Sequence, residues 1–451
     1  MHIGKYEIRG LLGRGGMGAV YKAAMPVTGR MVALKVCRPT EILEDIMGKE
    51  SIRTAFLREA VTMARIRHPH VTSVFDVFEG GADVPPYFVM EYYCNNLGLL
   101  MGETYEVEAP SRRMGVEASL SAARQILLGL DRLHYAGIVH RDVKPFNVML
   151  AEGLRGRSEA KLIDFGLSKL RGESVTRHKG MVVGSPYYTA PEQEADPEAA
   201  DARADLFSVG VTLFRMLTGL LPNEGGRGTV ISHVHPDLDP LWDDFFARAL
   251  AHDRIDRFPD AGSMIAELDG LASAWAEKRD EVCSYFDPDS VPRHKRGERL
   301  RAEPIKVGVR GARERFGLDE LWRPDTYGCG CFEEVNGIIE DAGAGLVWER
   351  SGSRYPVDYE GAKTHVQRLN DEAFGGRTDW RLPTVDELVT LFTGSTEPGE
   401  FCQVTVFDSD RSRLWSADRK SFTANWFADA RMGFVGHADR TCLLHARGVA
   451  G

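Results

Sequence analysis

Toward the N-terminus the apolar residues run in short strand-like blocks; further on they recur at helical spacing. Tyr6 to Lys22 opens as a short strand, is interrupted by Gly13-Arg14-Gly15-Gly16-Met17-Gly18, and returns as a second strand at Ala19-Val20-Tyr21-Lys22. Met31 to Val36 alternates as a strand does, and Phe56, Ala60, Met63 and Ala64 mark a helix over Ser51 to Arg67. Val71 to Phe78 and Tyr87 to Tyr92, rich in β-branched and aromatic residues, read as strands. Asn95 to Gly115 is irregular. Leu120, Ala123, Ile126, Leu127, Leu130 and Leu133 then share one face of a helix ending near Gly137. Lys161 to Ile163 reads as a short strand and Asp201 to Leu221 as a strongly apolar helix.

The character changes over Glu277 to Pro324, where Arg293-His294-Lys295-Arg296-Gly297-Glu298-Arg299-Leu300-Arg301 reads as a basic tether. A short helix is expected over Arg310 to Leu321. Beyond Tyr327 the tryptophans cluster: Trp348, Trp380, Trp415 and Trp426. Gly345 to Arg350 reads as a strand. Asp358 to Phe374 reads as a helix with Ala362, Val366, Leu369 and Ala373 in step. Val385 to Leu391 reads as a second helix, with Thr384 as cap and Glu387 three residues on. The expected division is therefore a first domain over 5–276, a linker over 277–326 and a second domain over 327–451.

Composition narrows the classes. A chain of 451 residues allows two or three domains. A formal charge of −10 favours neither nucleic acid nor an anionic membrane as partner. The start carries no apolar run of the signal-peptide kind, and Leu206 to Leu221 is broken by Arg215 and short for a bilayer, so a soluble, cytoplasmic protein without membrane contact is expected. Seven cysteines, an odd number, do not suggest a disulfide framework, and Cys329-Gly330-Cys331 lacks two further metal ligands at familiar spacing. Asp408, Asp410, Asp418 and Asp429 have no ligand-loop spacing and read as solvated turn acids; Trp380 and Arg381 read as core and ion-pair residues.

Chemistry concentrates in His140-Arg141-Asp142-Val143-Lys144-Pro145-Phe146-Asn147. Asp142 is suited to orient a substrate hydroxyl and accept its proton, Lys144 to steady a transferring phosphate, and Asn147 to hold a metal ion; phosphoryl transfer needs positioning and charge neutralisation more than covalent help. The other parts follow in workable order. The glycines of G-x-G-x-x-G let backbone approach phosphates. A dinucleotide-binding turn shares that spacing but needs a helix at its last glycine, whereas here a strand follows, which favours a hairpin lid over a nucleotide. Lys35 in Val32-Ala33-Leu34-Lys35 would grip phosphates. Glu59 is its preferred ion-pair partner over Glu50. Met90-Glu91-Tyr92 stands where an adenine edge would meet backbone, with Met90 guarding the back pocket. Asp164 of Asp164-Phe165-Gly166, with Asn147, offers hard oxygens to Mg²⁺. Asp205, in an apolar helix, needs partners, and the amides of the catalytic loop are the expected ones. Arg257 is the expected partner of Glu192. Ser174 or Thr176 is expected to be autophosphorylated and to order the segment before Ala190-Pro191-Glu192 through Arg141.

On these motifs, Lys5 to about Ala276 resembles a bacterial eukaryotic-like (Hanks-type) serine/threonine protein kinase. The resemblance implies an α+β, bilobal fold with a small β-rich N-lobe (about 5–93) and a larger helical C-lobe (about 94–276). It implies ATP and Mg²⁺ as cofactors and protein Ser/Thr hydroxyls as substrates, the Lys144 and Thr189 positions going with that choice. Catalytic roles fall on Asp142, Lys144, Lys35 and Glu59. Nucleotide contacts fall on Leu12, Gly13, Arg14, Gly15, Gly16, Met17, Gly18, Ala19, Val20, Ala33, Lys35, Met90, Glu91 and Tyr92, and Mg²⁺ on Asn147 and Asp164. Pro222 to Leu238 departs from the family, being short and glycine-rich where another helix is usual. From Tyr327 onward, Leu346-Val347-Trp348, Trp380-Arg381-Leu382-Pro383-Thr384, Leu388, Leu414-Trp415-Ser416 and Arg447-Gly448 resemble the C-terminal domain of bacterial collagen-like adhesins. That implies a C-type-lectin-like fold related to formylglycine-generating enzymes, binding an unknown ligand or protein partner. The alternative from another class is a nucleotide-switched binding or display protein whose lectin-like half is the working end.

Overall fold

The computed structural model describes residues 1–104, 106–152, 158–164, 186–195, 200–222, 230–235, 237–279, 294, 300–328, 331–392, 406–408 and 410–451. Phe165, Gly166, Ser174, Thr176, the glycine-rich 223–229 and Cys329 lie outside the described residues. Two compact units emerge. One is built from Met1–Arg113, Glu117–Glu152 and Ser158–Val282, and the body of the other is Cys283–Gly451.

The first unit begins with β1 (His2–Ile3), β2 (Tyr6–Gly15), β3 (Gly18–Ala24) and β4 (Met31–Cys37). Next come α1 (Glu41–Met47), α2 (Lys49–Arg65), β5 (Val74–Phe78) and β6 (Tyr87–Glu91). These strands form one antiparallel sheet in the order β1-β2-β3-β4-β6-β5. β4 lies inside it and is covered on both faces. Val32, Leu34 and Val36 join a cluster with Tyr6, Ala19, Tyr21 and Val89. Strand parity sends Ala33 and Lys35 the other way. On that side Phe56 of α2 packs on Phe88 of β6, and Phe88 is the cross-strand partner of Lys35. The polar stretch before the expected helix is itself helical as α1, and α2 begins at Lys49.

The helical part follows with β7 (Asn95–Asn96), α3 (Leu97–Met101), α4 (Val116–Tyr135), β8 (Val148–Glu152) and β9 (Ser158–Leu162). It ends with α5 (Pro191–Ala195), α6 (Ala202–Thr218), α7 (Ile231–Val234), α8 (Pro240–Ala249) and α9 (Ala261–Lys278). A second small ribbon, β7-β8-β9, follows the loop from His140 to Asn147, with β8 starting at Val148. α6 is the spine. Asp201 caps it by accepting from Arg203 N at 2.9 Å, and its residues from Ala204 to Thr218 are buried almost without a break. Gly219 ends it at φ 75°, where a Cβ would stand 2.5 Å from Ser111 O; only glycine fits that backbone and that gap.

The second unit contains α10 (Val309–Phe316), β10 (Phe332–Val335), β11 (Ile338–Asp341), β12 (Leu346–Glu349), α11 (Tyr359–Asp371) and α12 (Val385–Leu388). β13 (Arg413–Arg419), β14 (Ala424–Asp429), β15 (Phe434–Asp439) and β16 (Val449–Ala450) complete it. Its sheets run β10-β11-β12-β16 and β13-β14-β15. Thr384 and Glu387 make the expected capping box at α12. Trp380 is buried, and Arg381 pairs with Glu387 at 2.6 Å, as the sequence reading has them.

Two expectations are corrected here. The described part of the linker from Leu300 on is not a tether. Ala312, Phe316 and Leu318 belong to the second unit's core, with Leu300, Ile305, Val307 and Trp322 packed against it. Arg301 of the basic run lies between Asp418, at 2.8 Å, and Asp386, at 3.0 Å. Asp418 and Asp429 are buried rather than solvated, because arginines neutralise them: Arg301 for the first and Arg413, at 3.1 Å, for the second. Cys37 is a buried free thiol. Among the described residues no helix is long and apolar enough to cross a membrane.

Candidate active site

The glycine hairpin is built from β2 and β3, paired Gly15 to Gly18 across the turn. Its glycines serve two ends. A Cβ on Gly13 or Gly15 would meet nothing within 4 Å, so those positions leave backbone open to a ligand. A Cβ on Gly18 would stand 2.0 Å from Val36 O, so this glycine is required by packing on β4. Met17, at the tip, is buried against Leu43 of α1 and Ala55 of α2. Thr40 N and Arg38 N donate to the carbonyls of Gly16 and Met17 at 2.9 and 3.1 Å. Ala19 faces the apolar cluster on the far side of the sheet. Met17 and Ala19 therefore have only backbone to offer a nucleotide, which the sequence reading did not distinguish.

Lys35 projects toward α2. Its Nζ lies 3.1 Å from Glu59 Oε1 and 2.7 Å from Asp164 Oδ1. Burial by itself lowers the ammonium pKa, but the charges of Asp164 and then Glu59 outweigh it and raise the pKa above the ordinary lysine value. Glu50 instead lies on the surface beside Arg53, 3.3 Å away. Ala33 and Met90 are cross-strand partners, both buried, and form the wall beside this lysine. The Glu91 side chain is engaged with Tyr93, Ser73 N and Lys161, and Leu12 is exposed.

The loop from His140 to Asn147 is tightly tied. Lys144 Nζ reaches both oxygens of Asp142 at 2.8 and 3.0 Å. Asn147 Nδ2 donates to Asp142 O and Oδ2, each at 2.8 Å. With its NH₂ directed there, Asn147 has its side-chain oxygen for a hard cation. His140 accepts from Asp142 N at Nδ1, 3.3 Å, which leaves Nε2 as the donor to Ile163 O at 3.0 Å. Ile163 N donates back to Asn147 O at 3.1 Å. The loop is thereby stapled to the residue before Asp164. Arg141 and Asp164 both have positive φ, 67° and 56°, an uncommon conformation for non-glycine residues that clusters at functional sites.

Asp205, fully buried on α6, accepts from Arg141 N at 2.7 Å and His140 N at 2.8 Å, as expected, and also from His134 Nε2 at 2.8 Å. Arg257 binds Glu192 through two bonds of 2.8 Å. The sequence reading missed the roles of His134 and His140. His140 was visible only as part of a motif, and His134 only as a polar residue near a helix end. Among the described residues no cluster of three or more His, Cys, Asp or Glu side chains suits a metal.

Comparison with known proteins gives matches to both parts of the chain. Residues 6–240 match the model of the protein kinase domain, and residues 337–450 match that of the Lcl C-terminal domain. Serine/threonine-protein kinase PksC of Streptomyces coelicolor is 36% identical over 60% of this chain and 50% of its own length. A probable serine/threonine-protein kinase, PknB, of Bifidobacterium longum is 32% identical over 59% of this chain and 39% of its own. The DNA damage-responsive serine/threonine-protein kinase RqkA of Deinococcus radiodurans is 36% identical over 60% and 40%. The chain thus spans half or less of the length of these curated relatives.

Proposed function

Because the chain belongs to the protein kinase domain family, residues 6–240 matching its model, we propose that it transfers the γ-phosphoryl group of ATP to serine and threonine hydroxyls of proteins. One observation supports the reading: Lys35 meets Glu59 and Asp164, Asp142 meets Lys144 and Asn147, and Ile163, the residue before Asp164, is hydrogen-bonded to Asn147 and His140, so the two groups are linked. Lys35, kept protonated between two carboxylates, is a fixed positive charge for phosphate oxygens. The backbone at Gly13 and Gly15 closes over them. Asp142 accepts the hydrogen bond of the incoming hydroxyl and so orients it in line. Lys144, within hydrogen-bond distance of Asp142, neutralises charge developing on the transferred group. Asn147 and Asp164 would hold Mg²⁺, which when bound would supply positive charge to offset that of the phosphates.

Labelled ATP supplied to the full chain and to Asp142→Asn tests this. Incorporation by the natural chain that Asp142→Asn lowers by about a hundred-fold or more is the expected result. Equal incorporation, or none by either, overturns it. Autophosphorylation at Ser174 or Thr176 is part of the proposal, and phosphosite mapping of the same samples checks it.

The second unit is proposed to be lectin-like and to bind a ligand or protein partner that directs the kinase to its acceptors. The match of residues 337–450 to the Lcl C-terminal domain supports a defined module here. Removal of residues 300–451 should change acceptor choice while ATP turnover persists. Unchanged choice would remove the idea.

A further inference from the structure

Arg447 is a charge that the second unit buries without a hydrogen-bonded counter-charge among the described residues. It is 0% exposed, and neither Nε nor either terminal nitrogen has a hydrogen-bond partner. Two carboxylates attract it, Glu349 and Asp408, but both are engaged elsewhere. His365 Nε2 lies 2.8 and 3.0 Å from the two oxygens of Glu349, and Gly448 N donates to one of them at 3.0 Å. Asp408 binds Arg411 at 2.6 Å. Burial, aided by the charge of Arg411, lowers the guanidinium pKa to about 10, so the group is still charged at neutral pH. A second buried donor lies close by. Trp348 is 0% exposed, and its Nε1 also has no partner. Arg447 stands two residues before Val449, the cross-strand partner of Trp348. Both side chains meet the Phe407 ring: Arg447 Cζ lies 4.7 Å from its centroid, and the Trp348 ring is edge-on to it at 6.4 Å.

Other arginines of this unit do not share that state. Arg301, Arg381 and Arg413 each meet a carboxylate. Contact with an aromatic ring engages the face of a guanidinium and leaves its in-plane N–H groups unused. A buried charge without a hydrogen-bonded partner is costly, and an apolar side chain of similar volume would fill the position at less cost if packing were its whole role. The orphaned atoms have a further property in common: all are donors. A water accepting from them would bring two hydrogens that need acceptors in turn. An oxyanion brings acceptors only, together with the missing negative charge. The planar fork of a guanidinium matches two oxygens of a carboxylate, phosphate or sulfate group, and the indole N–H can take another.

We propose that Arg447 and Trp348 Nε1 hold a small oxyanion as an internal counter-ion of the second unit. Both residues are fully enclosed, so the anion is taken up as the unit folds and exchanges only when it opens. The proposal does not depend on the kinase reading, and its failure leaves that reading intact. The test melts the full chain, followed by tryptophan fluorescence, in chloride buffer and with phosphate, sulfate or acetate added at constant ionic strength. At least one of the three should raise the midpoint saturably, by about 5 °C at a hundred-fold excess over its Kd. Which of them acts identifies the oxyanion. Arg447→Met should abolish the shift and, in chloride alone, melt no lower than the natural chain, because it removes an unpaired charge. Trp348→Phe, which takes away the indole donor, should weaken the apparent Kd about ten-fold. An equal shift in Arg447→Met would mean an adventitious ion only and would overturn the proposal. Ion chromatography of the dialysed, acid-denatured natural chain is the second measurement, and it decides if neither variant folds: roughly one equivalent of oxyanion released per chain supports the proposal. No shift with any oxyanion and none released would overturn it, as would none released where neither variant folds.

Discussion

Lys35 of β4 and Glu59 of α2 meet at 3.1 Å across the buried face of the sheet, and Asp164 completes the contact from 129 residues away in sequence. The pair makes the position of α2 a condition for the position of the lysine. On the proposed reading, phosphate binding and helix placement are then one equilibrium rather than two.

Glu59→Gln should break that linkage while Asp164 still holds the ammonium. Phosphotransfer should fall by about ten- to a hundred-fold, roughly 1.4 to 2.8 kcal/mol of transition-state stabilisation. Steady-state kinetics with ATP as the varied substrate checks it. A rate within two-fold of the natural chain would mean that Asp164 alone positions the lysine.

The glycines should separate by experiment. Gly18→Ala places a methyl 2.0 Å from Val36 O, and the required backbone shift should cost about 1–3 kcal/mol in a denaturant titration. Gly13→Ala has open space, so its melting curve should match the natural one while KM for ATP rises roughly several-fold. The reverse pattern would assign the two positions the other way round.

His235 is 2% exposed, and burial, helped by the charge of Arg113, lowers its pKa to about 4. In the unfolded chain the ordinary value is about 6.5. Between these values the unfolded state binds a proton and the folded state does not, so stability rises with pH across the window. Taking the chain from pH 7 to pH 4 should cost about 3 kcal/mol through this residue alone. His235→Phe should flatten the dependence, as measured by urea melts at several pH values. An unchanged slope would show that His235 is not its source.

A fragment of residues 327–451 should fold poorly and one of residues 300–451 well. The shorter piece strips Trp426 of Trp322, stacked at 5.6 Å, and of Phe316, edge-on at 5.5 Å, and leaves Asp418 buried without Arg301. The loss should exceed about 3 kcal/mol. Thermal melts followed by tryptophan fluorescence check it, and equal melting temperatures would refute it.

Much of the site was legible because its parts carry local signatures. The glycine spacing, Lys35 in an alternating strand and the loop from His140 to Asn147 each imply their own local geometry. Glu59 was preferred over Glu50 by position alone, and burial bears that out. Asp205 and Arg257 were traceable because a buried charge must find a partner and few were on offer. Other roles had no local trace. Gly18 looks like its neighbours in sequence, yet it alone abuts Val36 O. Arg301 sits in a basic run that reads as solvated, and only Asp386 and Asp418, 85 and 117 residues on, make it a half-buried clamp.

The order of chemical groups along the chain, the parity that turns Lys35 toward α2 and the apolar periods of the helices were set by sequence alone, because they depend on neighbours a few residues apart. Tertiary structure decided which carboxylates neutralise which cations, which glycine serves packing, and where the second unit begins. Those outcomes depend on desolvation, and whether a charge or a methyl group is tolerated is determined only when distant segments exclude water around it.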